Sequence, residues 1–171
     1  RYLNKQMALY LKKTQLLLLL LGFVSGIPFL LTLSTLSFWL MELHVSKSVI
    51  GLFMLATTPY SLKFLWAPFL DTKKLPIMGD VLTHRRSWGI LSQLCMIVAI
   101  ICLGLSEPEK NLWLTGVCAF FVSFFAATQD IIMDSLRIEL SDEKNSGAGA
   151  AMESVGFRLG MLTSGAGALY L

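Results

Sequence analysis

Long uncharged apolar runs, separated by short charged links, constrain this chain more than any other feature. From Gln15 to Met41 there is no charged side chain at all. A helix needs about 20 predominantly apolar residues to cross the hydrocarbon core of a bilayer, and that run is longer. Composition agrees: 55% of the 171 residues are hydrophobic and 15% are charged, where soluble domains average roughly 25% charged. Mean hydropathy is +0.67. The charges cluster between apolar runs, so the sequence predicts a polytopic all-α transmembrane protein in a lipid bilayer and excludes a water-soluble fold.

About five spans are expected, over 15–41, 49–70, 88–105, 112–133 and 147–171, after a cytoplasmic N-terminal segment 1–14. The first apolar run far exceeds a secretory h-region and lacks a small-x-small cleavage site, so it is a span and not a signal peptide. Gly26 and Pro28 lie inside it, and Pro28 removes a backbone donor, which predicts a kink. Span two carries Pro59 and Pro68. The stretch from Asp134 to Ser146, rich in charges of both signs, reads as a loop. Trp39, Trp66, Phe124 and Phe125 read as lipid-facing or interface anchors. Span five is rich in small residues, and Gly156-x-x-x-Gly160, like Gly22-x-x-x-Gly26 in span one, has the spacing that lets helix backbones approach closely.

Orientation follows from Lys and Arg. With a cytoplasmic N-terminus, Arg1, Lys5, Lys12, Lys13, Lys73, Lys74, Arg85, Arg86, Arg137 and Lys144 lie inside, against Lys47 and Lys110 outside. Net charge is a mild +3 with no basic patch interleaved with aromatics, so no nucleic-acid partner is expected. Cys95, Cys102 and Cys118 sit in apolar runs at spacings that match no metal site, and they read as packing residues. No cofactor is implied. There is no nucleophile elbow, zinc-binding His pair or phosphate-cradling glycine loop, so no enzyme chemistry is expected.

Ionisable residues inside spans are costly and face protein or water. Arg158 lies roughly 16 Å into span five, near mid-bilayer. It suits a carboxylate or phosphate of a substrate, or alternatively a structural ion pair. Glu153, five residues earlier, is well round the helix from Arg158. It reads as a proton carrier or as a solvated residue near the cytoplasmic mouth. Asp130 and Asp134 share one helix face. Neighbouring carboxylates in a low-dielectric setting raise each other's proton affinity, so the pair is a proton carrier or a latch to Lys or Arg at the cytoplasmic helix ends. Lys63 snorkels to the cytoplasmic face or lines a cavity.

Four stretches carry a family resemblance. Gly22-Phe23-Val24-Ser25-Gly26-Ile27-Pro28 resembles the first-helix signature of the AmpG-type muropeptide permeases, which belong to the major facilitator superfamily. Lys63-Phe64-Leu65-Trp66-Ala67-Pro68-Phe69-Leu70-Asp71 is similar to their second-helix motif, and Ala127-Thr128-Gln129-Asp130-Ile131-Ile132-Met133-Asp134 to the fourth. Gly147-Ala148-Gly149-Ala150-Ala151, with Gly156-Phe157-Arg158-Leu159-Gly160-Met161-Leu162 and Ser164-Gly165, is similar to the fifth. The resemblance implies a partial N-terminal half of a major facilitator fold. It implies proton-driven import of anhydromuropeptides, cell-wall turnover products, across the bacterial inner membrane. Relatives in the wider group carry acetyl-CoA, so an acetyl-CoA-like anion is the alternative substrate.

In this reading Arg158 and Lys63 bind substrate, Asp130 and Glu153 couple protons, and Asp71, Arg85, Arg86 and Asp134 serve the cytoplasmic gate. The family's compact Asp-to-Arg motif after span two is lengthened here, with Gly79 and Asp80 between Asp71 and Arg85. Facilitators bind substrate between two six-helix halves, so the missing C-terminal transmembrane helices are expected partners. A truncated, non-transporting remnant or an assembly module is the other reading of the length.

Overall fold

The first membrane helix shows how proline, hydroxyls and an unusual turn residue shape this fold. In the computed structural model, which describes residues 12–73, 84–140 and 146–170, helix α1 runs Lys13–Glu42. Of the residues singled out above, Arg1, Lys5, Lys74, Gly79, Asp80, Lys144 and Leu171 lie outside the described ones. Pro28 sits inside α1, and one turn later the helix widens into a π turn at Leu31–Thr35. A proline without an N–H loosens the ladder, and π turns mark such places. The Thr32 hydroxyl donates to the Pro28 carbonyl at 2.9 Å. The helix closes when Val45 N–H donates to Leu40 O at 3.1 Å and His44 N–H to Met41 O at 3.0 Å. That is a Schellman closure, with His44 left-handed at φ 58 where glycine is usual.

Helix α2, Lys47–Leu65, begins at Ser46, whose hydroxyl accepts from Val49 N–H at 3.4 Å. It tightens to 3-10 geometry at Met54–Thr57 and Lys63–Leu65, and α3, Ala67–Thr72, follows Trp66. Pro59 and Pro68 each stand in the first turn of a resumed α segment, where a missing N–H is tolerated. Pro59 cannot donate to the Leu55 carbonyl, and the Thr58 hydroxyl does so instead. The second apolar stretch is therefore a jointed rod and not one helix.

Helices α4 (His84–Leu105), α5 (Leu112–Leu140) and α6 (Ser146–Tyr170) complete the described chain. Among the described residues α1, α2, α4 and α5 are the helices long and apolar enough to span a membrane, which makes four. Helix α6 has 25 residues, but its glycines and serines, with Glu153 and Arg158, dilute its apolar character. The all-α transmembrane architecture stands. Helix α5 runs past Met133, where the sequence predicts a loop. Charges mark where a helix leaves the apolar core. They do not by themselves end the helix, and Ser135 to Leu140 contains no Gly or Pro to interrupt it.

Helices α1 and α6 run parallel and in backbone contact. Leu19 O lies against Gly156, Phe23 O against Gly160, Glu153 O against Gly22 and Phe157 O against Gly26, and a Cβ at any of these four glycines would overlap that oxygen. Helices α4 and α5 are antiparallel, with Thr115 Oγ1 donating to Ser106 Oγ at 2.9 Å near one end and Gly89 beside Ile132 near the other. Helix α5 also runs parallel to α2, so it is the hub of the bundle. An apolar core of Leu36, Leu40, Ile50, Ala56, Ala99, Leu103, Ala119 and Val122 fills the end where α1 turns into α2. The opposite end of α5 carries the charges.

Candidate functional site

Five ionisable side chains from three helices form one continuous chain of alternating charge. Lys63 Nζ, at the second 3-10 turn of α2, donates to Asp130 Oδ2 of α5. The same ammonium stands 3.9 Å from Asp134 Oδ2. One turn on, Arg137 Nη2 lies 3.5 Å from Asp134 Oδ1, and its Nη1 donates to Glu153 Oε2 of α6 at 2.6 Å. Every member is partly shielded, Glu153 most at 17% exposed and Asp134 least at 44%. The cause is sequence spacing. Asp130, Asp134 and Arg137 fall at i, i+4 and i+7 and so share one face of α5. That face is the one on which α2 and α6 both converge.

The break in α2 is held in register beside this chain. Trp66 Nε1 donates to Thr128 Oγ1 at 3.1 Å, and the Trp66 and Phe124 rings pack at 4.9 Å. Trp66 and Phe124 are thus packing groups between helices, and Trp39 and Phe125 pack on the apolar core. All four are half-buried, so packing between helices and the expected lipid or interface contact are compatible.

The residues expected at a cytoplasmic gate divide. Asp134 lies within the charge chain. Arg85, at the start of α4, donates to Glu139 Oε1 at 2.8 Å and to the Ser135 carbonyl at 3.4 Å. Asp71 lies in the last turn of α3 in an exposed position, and Arg86 is exposed too. Among the described residues neither makes an ion pair. Arg85 therefore reaches across to α5 and not to Asp71. The partners that sequence reasoning missed, Arg137 and Glu139, sat in the stretch read as a loop. A helical projection carried past Met133 would have placed both.

Arg158 stands apart. It lies roughly 18 Å along α6 from Ser146 and is exposed. It makes no ion pair among the described residues. Gly156 and Gly160 face α1, whereas Arg158 lies on the other side of α6 beside the exposed apolar residues Val155, Leu159 and Leu162. Glu153 points to Arg137 and leaves Arg158 unneutralised. Two buried polar side chains were also missed. Gln129 is 1% exposed with no hydrogen-bond partner for its amide among the described residues, and the Tyr60 hydroxyl is likewise buried without one. Their sequence neighbours, Asp130 beside Gln129 and Lys63 three residues after Tyr60, mark the region but carry no sign of the missing partners.

Comparison with known proteins finds likeness to transporters along the sequence. The model of the family described as acetyl-coenzyme A transporter 1 matches residues 14–121. A Rickettsia prowazekii protein named putative transporter AmpG 3 is 40% identical over 154 residues, covering 90% of this chain and 37% of that protein. The anhydromuropeptide permease of Escherichia coli is 39% identical over 155 residues, 91% of this chain and 31% of that protein. Putative transporter AmpG 1 of R. prowazekii is 36% identical over 152 residues, covering 89% and 34%. The chain spans about a third of the length of these relatives.

Proposed function

The chain belongs to the acetyl-coenzyme A transporter 1 family, its relatives are AmpG-type transporters, and from that premise we propose that it is the front part of a proton-coupled importer of anhydromuropeptides. The observation that carries the reading is likeness along nine-tenths of the chain to proteins named as transporters, one of them for anhydromuropeptides. In the complete permease the protein lies in the bacterial inner membrane with its N-terminus cytoplasmic, and further transmembrane helices close the substrate site.

Arg158 holds an anionic group of the substrate. An unneutralised guanidinium on an apolar helix face is expensive against lipid, so that face is covered by protein or by substrate. Lys63 is the second substrate-binding cation, released from Asp130 when the site fills. Asp130 and Glu153 are the proton-coupling carboxylates, since each is partly shielded and held by a single strong cationic partner. Asp134 with Arg85, Arg86 and Asp71 forms the cytoplasmic gate. The link from Arg85 to Glu139 supports it by tying α4 to the end of α5.

A second reading, an acetyl-CoA-like anion as substrate, is favoured by the description of the matching family. Both substrates are anionic, so both use Arg158, and competition separates them. Excess unlabelled acetyl-CoA is expected to leave uptake of labelled anhydromuropeptide unchanged, and inhibition by acetyl-CoA would favour the second reading. Arg158→Ala in the complete permease is expected to insert in the membrane at normal level and to lower uptake at least about tenfold, the loss of one charge-assisted contact. Normal uptake by that variant overturns the role of Arg158.

A further inference from the structure

The outer side of the seam between α4 and α5 is a groove that the described chain leaves unfilled. A cavity of about 180 Å³ lies beside Phe69 and Trp88, and one of about 480 Å³ continues it along the two helices. Cys95 and Phe125 line both, so the groove is continuous from Trp88 to Cys102. That is roughly 21 Å along α4, more than the roughly 15 Å of hydrocarbon in one leaflet. Among the described residues no charged side chain lines it. Its rim is apolar and open, with Leu94, Val98 and Phe121 all exposed. The polar groups of the lining are already engaged. Ser92 Oγ donates to Gly89 O at 3.0 Å, Thr128 Oγ1 to Phe124 O at 2.9 Å, and Trp66 Nε1 to Thr128 Oγ1. A hydrocarbon occupant therefore leaves no hydrogen bond of the lining unmade.

One end of the groove carries a cation. Trp88 Nε1 donates to Lys73 O at 2.7 Å, which fixes the Lys73 backbone at the groove's mouth. Lys73 is exposed and makes no ion pair among the described residues. Of the other charges at this corner, Arg85 is engaged by Glu139, and Asp71 offsets Arg86. The charge chain lies on the far side of α5, since Ile132, beside Gly89 of α4, is two residues from both Asp130 and Asp134. Lys73 is thus the uncompensated charge at this mouth.

We infer that this groove binds an anionic phospholipid of the surrounding bilayer. One acyl chain lies along α4 and α5 from Trp88 to Cys102, and the headgroup phosphate meets the Lys73 ammonium. Trp88 stands at headgroup level, where indoles are favoured. A further helix of a longer permease is the rival occupant. Over the roughly 12 Å from Leu94 to Cys102, the larger cavity averages about 40 Å² in cross-section. A helix roughly 10 Å across needs about twice that. Close helix packing also uses small residues, as α1 and α6 do, whereas this rim is Leu94, Val98 and Phe121.

The site is independent of what is transported, and photolabelling tests it. Phosphatidylglycerol with a mid-chain diazirine is added to this chain in phosphatidylcholine nanodiscs, and labelled peptides are mapped by mass spectrometry. Phosphatidylcholine with the same diazirine chain is the control. Phosphatidylglycerol is expected to label residues 91–102 and 117–125 about fivefold more than the control does, the preference that one lysine supplies. Lys73→Gln is expected to remove that preference and to leave labelling at the exposed Leu52 and Leu55 of α2 unchanged. Even labelling of the groove and of α2 by both lipids overturns the site. Equal labelling of the groove by the two lipids, or no effect of Lys73→Gln, overturns the role of Lys73 and the anionic preference. The same labelling is expected in the complete permease, and its loss there would mean that a helix covers the groove and would overturn the proposal.

Discussion

At the scale of single residues, the pair formed by Lys63 and Asp130 is the most informative contact. Removing either member strands a charge in a partly shielded place, whereas removing both strands none. A double-mutant cycle of Lys63→Met and Asp130→Asn, read by chemical denaturation in detergent, is expected to give a coupling of about 1 kcal/mol or more. Additive losses would show that the pair is not coupled. His44 makes a different prediction. A non-glycine residue in the left-handed region at φ 58 is strained, so His44→Gly is expected to raise stability by about 0.5–1 kcal/mol in the same assay. A loss on that substitution would mean that the imidazole makes a contact worth more than the strain. The charged residues were legible in the sequence because charge inside an apolar run stands out. Tyr60 and Gln129 were not, because nothing in their local sequence shows that the hydroxyl and the amide are buried without partners.

At the scale of elements, the contact between α1 and α6 is the tightest in the described chain and the best forecast. The spacing of Gly22 and Gly26 and of Gly156 and Gly160 implied a close approach, although the sequence did not say which helices would meet. Gly156→Leu is expected to destabilise by about 1–3 kcal/mol, since its Cβ would overlap Leu19 O. Gly167, with nothing around it, tolerates alanine, which raises helix propensity by up to about 1 kcal/mol. Equal effects at the two positions, measured by thermal unfolding in detergent, would remove the packing argument. Helix α2 was half legible. Pro59 and Pro68 announced interruptions, but their expression as 3-10 turns depends on Thr58 satisfying the Leu55 carbonyl and on Trp66 anchoring to Thr128. The extension of α5 was missed because charge was taken as the end of the helix and not as its exit from the apolar core.

At the scale of the whole molecule, the described helices form a bundle around α5, with an apolar core at one end and a charge chain towards the other. That division suits a protein whose one end stays packed while helices near the charges change partners. Arg158 is exposed on a face of α6 turned away from α1, and under the proposed function that face meets substrate or further helices. The transmembrane class was legible because hydropathy is additive along the chain. The site was only partly legible because it is assembled from α2, α5 and α6, and only the fold brings their side chains together. The proposed function is proton-coupled muropeptide import by the complete permease. Its most direct test is uptake of labelled anhydromuropeptide by permease-deficient cells expressing that permease, with and without a protonophore. Uptake is expected to depend on the permease and to collapse when the proton gradient is dissipated. Uptake that persists without the gradient, or none despite confirmed membrane insertion, would contradict it.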